Sequence, residues 1–365
     1  MIYLLYTIFL FLILRFTVTL FNFISNPKLT TSPKNYNCLV SVLIPARNEQ
    51  QHILTLLQSL KKQDYQSIEV IIYDDASTDY TLAICQNFCA TDDRFTVIGN
   101  SQLPQGWMGK NHACYQLAKK AKGTYFLFLD ADEVVSNGLI NNAIHRMETG
   151  KLALLSLFAN QIMLTIGEKM VVPLMHFLLL NLLPLRLVKV SKNPSIAAAS
   201  GQFMMFDAAI YKSQFWHKQV KNKVVEDIEI MKKVKQFGYK GETLLANNYL
   251  HCRMYASYSE ALHGFSKNIL AGFGGSYLGL TVFVLLIGFG FPLICVFFSF
   301  KLVFLAFVLI FITKIMISLM AGQNIFANLI LHFAQFLTLL LLTILSIYKS
   351  ITQTQVWKGR SINGY

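Results

Sequence analysis

The chain has 365 residues, enough for one large domain with an addition, or for two domains. Hydrophobic residues make up 54% and charged residues only 14%, which excludes a wholly water-soluble protein. The formal charge of +13 comes without a Lys/Arg cluster interleaved with aromatics, which excludes a nucleic-acid groove binder and leaves an anionic membrane surface and an anionic substrate as partners.

Residues 1–24 hold about one bilayer thickness of apolar side chains, interrupted mainly by Arg15. With no basic start and no small-x-small cleavage site, they read as an uncleaved transmembrane anchor. Residues 26–37, with Pro27 and Pro33, read as a polar linker whose Lys28 and Lys34 favour a cytoplasmic position for the domain after it. Strand–helix alternation then begins. Strands are expected at 39–44, 68–73, 95–98 and 125–129, with helices at 51–62, 80–89 and 111–121 between them. This order predicts an α/β domain over 38–270 with a mostly parallel, doubly wound sheet.

Further on, a helix is expected at 138–150 and a strand at 152–160. The apolar stretch 171–190 contains Pro173, Pro184, Arg186 and Lys189, and reads as an interfacial helix or lipid groove rather than a span. A helix from Glu226 should end at Gly238, a suitable C-terminal cap. Residues 277–348 supply two or three C-terminal membrane helices, and 349–365 form a basic tail. Three spans after a cytoplasmic domain would put that tail outside, against the positive-inside trend. The six cysteines include no C-x-x-C pair and read as reduced core thiols.

The chemistry concentrates at strand ends. Five apolar residues, Tyr125 to Leu129, lead into Asp130-Ala131-Asp132. Period-2 alternation at the strand end should point Asp130 and Asp132 to the same side. Two close carboxylates there suggest a hard divalent cation carrying a diphosphate, or simply a helix N-cap. A second acidic turn, Asp74-Asp75-Ala76-Ser77-Thr78-Asp79, closes the 68–73 strand. Lys110 opens a helix in the glycine-flanked Gly109 turn, a place suited to phosphate. Glu226-Asp227 opens another helix. Each has a plainer role as turn, cap or solvated first-turn residue.

Taken in order, Pro45-Ala46-Arg47-Asn48-Glu49, Asp74-Asp75, Asp130-Ala131-Asp132 and Glu226-Asp227 resemble a family 2 glycosyltransferase of GT-A fold. Trp107-Met108-Gly109-Lys110, Arg253-Met254-Tyr255 and Trp357-Lys358-Gly359-Arg360 look like the membrane-bound branch with diaponeurosporenoate-type and hopanoid-associated members. The resemblance implies a nucleotide-sugar donor, UDP-linked, held by Pro45, Ala46, Arg47, Glu49, Asp75, Lys110, Asp130 and Ala131. It implies Mg²⁺ or Mn²⁺ on Asp132, Asp227 as catalytic base of an inverting transfer, and acceptor or phosphate contacts from Gly201, Gln202, Glu226 and Arg253. A single sugar would move to a carotenoid-, hopanoid- or glycolipid-like acceptor at the cytoplasmic membrane face; Met254, where processive members carry Trp, argues against polymer synthesis. A polyprenyl-phosphate sugar synthase and a non-catalytic nucleotide-sugar-binding membrane module are the alternatives.

Overall fold

The computed structural model describes residues 2–99, 102–354, 356–357 and 360–361. Lys358 and Gly359 of the tail motif lie outside the described residues. The chain divides into two compact units.

One unit comprises residues 27–160 and 185–253 with the short strands Val356–Trp357 and Arg360–Ser361. Its centre is a seven-stranded sheet in the order Phe95–Gly99, Ile68–Asp74, Val40–Ala46, Tyr125–Leu129, Phe203–Asp207, Leu154–Phe158, Gly241–Leu245. The strands Val40–Ala46 and Tyr125–Leu129 are, Ser41 aside, apolar on both faces, and are buried apart from a half-buried Pro45, as two-sided coverage by helices requires. Neighbours pair in parallel except at Phe203–Asp207, which runs antiparallel to both Tyr125–Leu129 and Leu154–Phe158. The mostly parallel sheet expected from the alternation is therefore present, with one reversed strand in its middle. That strand comes from the stretch before Phe206, which lacks the strand–helix rhythm of the first half.

The helices between strands start close to where the pattern put them: Ile53–Lys61, Thr81–Cys89, Gly109–Lys120, Leu139–Gly150 and Glu226–Gln236. Ile53, Leu56, Leu57 and Leu60 are fully buried, the face their 3.6-residue spacing marks. Gly238 follows the Glu226–Gln236 helix with φ +79°, the left-handed geometry that lets glycine close a helix.

The segment read as a linker is not free. Leu29 is fully buried; its N–H donates to the Leu245 carbonyl at 2.9 Å, and Leu245 N–H donates to the Pro27 carbonyl at 2.8 Å. It thus covers the edge of the sheet at Gly241–Leu245, an edge that would otherwise present unpaired backbone groups. Of the six cysteines, all free, only Cys85, Cys114 and Cys252 are buried, so the core assignment holds for half of them.

In the edge strand, Glu242 is 1% exposed and accepts two hydrogen bonds from Arg146, at 2.6 and 2.5 Å. Arg186 and Lys189 lie 3.6 and 3.7 Å away. Glu242→Ala strands these cations. It is expected to destabilise the domain by about 3 kcal/mol or more, read as a lowered unfolding temperature.

The other unit comprises residues 1–26, 161–184 and 254–355. Four of its helices are long and apolar enough to cross a membrane: Tyr3–Ser25, Tyr277–Phe297, Phe300–Ala321 and His332–Ile351. They bury one side of their surface in clusters such as Ile8, Leu12, Ile294 and Ala306. Large apolar side chains including Leu10, Phe289, Val296 and Phe304 face outward, a surface suited to lipid. The stretch 171–190 is not one helix. Pro173 starts Pro173–Leu182 at its first turn, where the missing N–H costs nothing. The chain breaks at Leu183-Pro184 and resumes as Arg186–Val190, which belongs to the sheet-containing unit.

Candidate active site

Parallel pairing aligns the carboxyl ends of Val40–Ala46, Ile68–Asp74 and Tyr125–Leu129 on one rim, where open α/β sheets bind ligands. The two loops leaving the first pair are stapled together. Arg47 Nη1 donates to the carbonyls of Asp75 and Ala76, at 2.5 and 2.9 Å. Asp75 N–H donates to the Ala46 carbonyl at 2.8 Å, and Thr78 N–H to Asn48 Oδ1 at 2.8 Å. Asn48 N–H in turn donates to Ser77 Oγ at 3.0 Å. Asn48 and Ala76 both sit at φ +53°, which costs a non-glycine residue about 1 kcal/mol or more. Glu49 anchors the next helix, its N–H on Thr81 Oγ1 at 2.7 Å and its carbonyl accepting from His52 and Ile53. Asp74 and Asp75 are both buried in this double loop, at 3% and 6% exposure. Arg47 therefore shapes the loop that carries Asp75.

The second half of the site gathers residues far apart in sequence. Lys110, in the first turn of Gly109–Lys120, places its ammonium 2.7 Å from Asp130 Oδ1 and 3.0 Å from Glu226 Oε1. Burial opposes that charge, but Asp130 and Glu226 outweigh it and hold the Lys110 pKa well above the ordinary value. Asp130 N–H donates to the Gln202 carbonyl at 3.3 Å. A Cβ on Gly201 would lie 2.7 Å from Lys110 Nζ and 3.2 Å from Glu226 Oε1, so a side chain here would push on the Lys110–Glu226 pair. Gly201 N–H donates to Asp227 Oδ2 at 3.0 Å and Ile228 N–H to Asp227 Oδ1 at 2.8 Å, fixing that carboxyl. Burial, and next the neighbouring Glu226, push the Asp227 pKa up to about 7. Asp130, Lys110, Gly201, Gln202, Glu226 and Asp227 thus form one cluster.

Asp130 and Asp132 do not share a strand. Tyr125–Leu129 ends before them, and Ala131-Asp132 form a turn into the short strand Glu133–Val135. The alternation argument for a common side therefore does not apply. Asp130 turns to Lys110, whereas Asp132 accepts from the Cys252 thiol at 3.5 Å. Cys252 belongs to Leu250–Cys252, which pairs antiparallel with Glu133–Val135, and Arg253 follows it directly.

Asp132, Glu133 and Cys252 bring ligand-capable atoms within 4.8 Å of one another. Glu133 is 1% exposed, and neither of its carboxyl oxygens has a hydrogen-bond partner. Burial, then Asp132 and Asp130, raise its pKa well above the carboxylate range. Burial, then Glu133 and Asp132, likewise raise the Cys252 thiol, which stays protonated and serves as a donor. Crowded, unsatisfied carboxyl oxygens beside an open rim fit a hard, oxygen-preferring cation such as Mg²⁺ or Mn²⁺. Asp132 would hold it, with Glu133 beside it. The sequence reading missed Glu133 and Cys252. The third acid in Asp130-Ala131-Asp132-Glu133 was the available signal for the first; nothing local marked the second.

Residues 41–215 match the family model for Glycosyl transferase family 2. Among curated relatives, the 4,4'-diaponeurosporenoate glycosyltransferase of Staphylococcus haemolyticus is 25% identical over 258 residues, 68% of this chain and 65% of that protein. Glycosyltransferase GlyG of Streptococcus pneumoniae is 30% identical over 110 residues, 30% of this chain and 35% of its own. The UDP-Glc:alpha-D-GlcNAc-diphosphoundecaprenol beta-1,3-glucosyltransferase WfaP of Escherichia coli is 39% identical over 114 residues, 31% of this chain and 43% of its own. The chain thus spans between 35% and 65% of the length of these relatives. The mannosyltransferase PcManGT of Pyrobaculum calidifontis, solved with GDP-Man and Mn²⁺, shares the fold: TM-score 0.53 and 16% identity over 95% of this chain and 99% of that one. Residues 41–215 thus carry a glycosyl transferase family 2 domain, and the chain shares the GT-A fold.

Proposed function

We propose that the protein is a membrane-anchored, inverting glycosyltransferase. It moves one sugar from a UDP-linked donor to a lipid acceptor at the cytoplasmic face of the membrane. The observation that carries this reading is the convergence of Asp130, Lys110 and the adjacent Glu226 and Asp227, from three separate stretches, beside the Asp132–Glu133 carboxyl pair. The names of relatives that act on diaponeurosporenoate and on diphosphoundecaprenol-linked sugars support a lipid acceptor, and the UDP-Glc in one of them supports the donor.

In this reading Asp75, within the loop shaped by Pro45, Ala46, Arg47 and Glu49, accepts hydrogen bonds from the base and Asp130 accepts from the ribose. Lys110 supplies positive charge for the diphosphate from a helix start. Asp132 would hold a divalent cation, which when bound would supply positive charge toward the leaving diphosphate. Asp227 is the base that removes the acceptor proton; its two backbone donors hold the carboxyl in one orientation. Gly201, Gln202, Glu226 and Arg253 line the acceptor or phosphate side. The four apolar helices hold the enzyme where an acceptor dissolved in lipid resides.

The test is incubation of membranes carrying the protein with radiolabelled UDP-sugars, followed by lipid extraction. Label should move into the lipid fraction in a divalent-cation-dependent way and survive as a glycoside. Binding of UDP without turnover with any donor would overturn the reading.

A further inference from the structure

The membrane-type unit carries charge that its own residues do not balance. Its only acidic residues are Glu168 and Glu260. Both are spent on helix starts: Glu168 accepts from Thr165 N–H in a capping box, and Glu260 accepts from Ala256 N–H at 2.9 Å. Arg15 and Lys314 nevertheless lie well inside the long apolar helices and His332 opens one of them, while Lys301 and Lys349 sit at helix ends. The helix of Arg15 packs on that of Lys314 through Ile8, Leu12 and Ala306, and in sequence His332 lies between Asn328 and Gln335, the two residues to which Lys314 donates.

Lys314 is 7% exposed and donates to the Asn328 carbonyl at 3.0 Å and to Gln335 Oε1 at 2.5 Å, both neutral. Arg15 has no hydrogen-bond acceptor among the described residues, and its Nε is buried without one. Its guanidinium instead lies 5.4, 5.2 and 6.0 Å from the ring centres of Phe11, Phe177 and Phe283. Five fixed donors backed by aromatic faces, with no acceptor, form one side of an oxyanion site.

A polar network extends the site. Gln335 Nε2 donates to Asn328 Oδ1 at 2.9 Å, and Asn328 Nδ2 to Ser318 Oγ and Gln323 Oε1, both at 2.9 Å. Asn328 and Gln323, with Lys169, help line a cavity of about 170 Å³. Lys169 also has no acidic partner within 4.0 Å among the described residues. The site is set below the helix ends. At about 1.5 Å per residue, Arg15 lies roughly 15 Å along its axis from Ser25, and Lys314 roughly 10 Å from Ala321.

We propose that Arg15, Lys314 and His332 form an anion site inside the helix bundle that takes the carboxylate or phosphate head of a membrane-dissolved amphiphile. Unpaired cations at that depth are retained where something anionic joins them, and only a ligand with an apolar tail reaches the site from the bilayer. This rests on the reading that the four helices lie in a membrane, which retention of the chain in carbonate-washed membranes checks separately.

The experiment uses the full chain reconstituted in phosphatidylcholine bilayers. Saturable binding is measured for radiolabelled hexadecyl phosphate and palmitate, with hexadecanol as the neutral arm and inorganic phosphate as the arm without a tail. Both anionic amphiphiles should bind, with hexadecanol and inorganic phosphate at least tenfold weaker. Arg15→Gln and Lys314→Met should each weaken hexadecyl phosphate binding about tenfold or more, while Arg15→Lys keeps most of it. Without any variant, hexadecyl phosphate should raise the unfolding temperature of the wild-type chain and hexadecanol should not. Equal binding of hexadecanol, no shift in wild-type unfolding, or full binding by an Arg15→Gln/Lys314→Met double variant would each overturn the proposal. Inorganic phosphate binding as tightly as hexadecyl phosphate would overturn its lipid part.

Discussion

Asp227→Asn should lower sugar transfer by about 10²–10⁴-fold, the usual contribution of a positioned general base, with little change in UDP binding. The asparagine keeps the size of the side chain, and its one oxygen can still accept from either Gly201 N–H or Ile228 N–H. What it loses is the ability to take a proton. The pH profile carries a second, sharper readout. Burial and Glu226 raise the Asp227 pKa to about 7, and a base works only when deprotonated. Transfer by the wild-type enzyme should therefore be slow at pH 5, rise tenfold per unit below about 7 and level off above it. Glu226→Gln removes the second cause of the shift, so the rising limb should move to lower pH. A wild-type rate flat from pH 5 to 8, or an Asp227→Asn variant of full activity, would remove Asp227 from the role of base.

Chelation of divalent cations should abolish transfer, and added Mn²⁺ or Mg²⁺ should restore it. Asp132→Ala should reduce the rate about 10²–10³-fold even at saturating metal, the scale set by loss of one electrostatic contact to developing charge. Glu133→Gln separates the two acids. It neutralises a buried carboxyl whose oxygens have no hydrogen-bond partner, so metal affinity should fall about 10–100-fold while the rate at saturating metal is largely kept. Titrating activity against Mn²⁺ reads both effects. Activity of Asp132→Ala indifferent to EDTA and equal to wild type would place the cation elsewhere or nowhere.

Much of this site is legible before any folding. Pro45 to Glu49, Asp74-Asp75, Lys110 and Asp130-Ala131-Asp132 each sit at the end of a strand or the start of a helix that periodicity alone locates, because a two-sided apolar run and a following turn are local signals. The helix over Glu226–Gln236 announces itself through its acidic first turn and its glycine stop. Hydropathy marks the N-terminal helix and two or three C-terminal ones, because a bilayer demands that length of a span, and the fold has three at the C-terminal end.

Other features depend on contacts that no window of sequence contains. The reversed strand Phe203–Asp207 is inserted between Tyr125–Leu129 and Leu154–Phe158, and so delivers Gly201 and Gln202 to Asp130. Cys252 meets Asp132 only because Leu250–Cys252 pairs with Glu133–Val135. The polar run 27–37 looks like a linker by composition, yet its backbone donors and acceptors find the open edge at Leu245. Arg47 reads as a ligand contact, and what the sequence does not show is that its guanidinium also holds the Asp75 turn.

By itself the sequence determined which residues are candidates for the chemistry, since residue type, strand ends and apolar length are properties of a local stretch. Only the tertiary structure decided how they are divided. Asp130 and Asp132, two positions apart, are sent to different partners because the strand stops at Leu129 and the chain turns between them. Lys110 then claims the first, and the buried Glu133–Cys252 corner claims the second. Pairing of that kind depends on long-range register, which the chain acquires only when its sheet assembles.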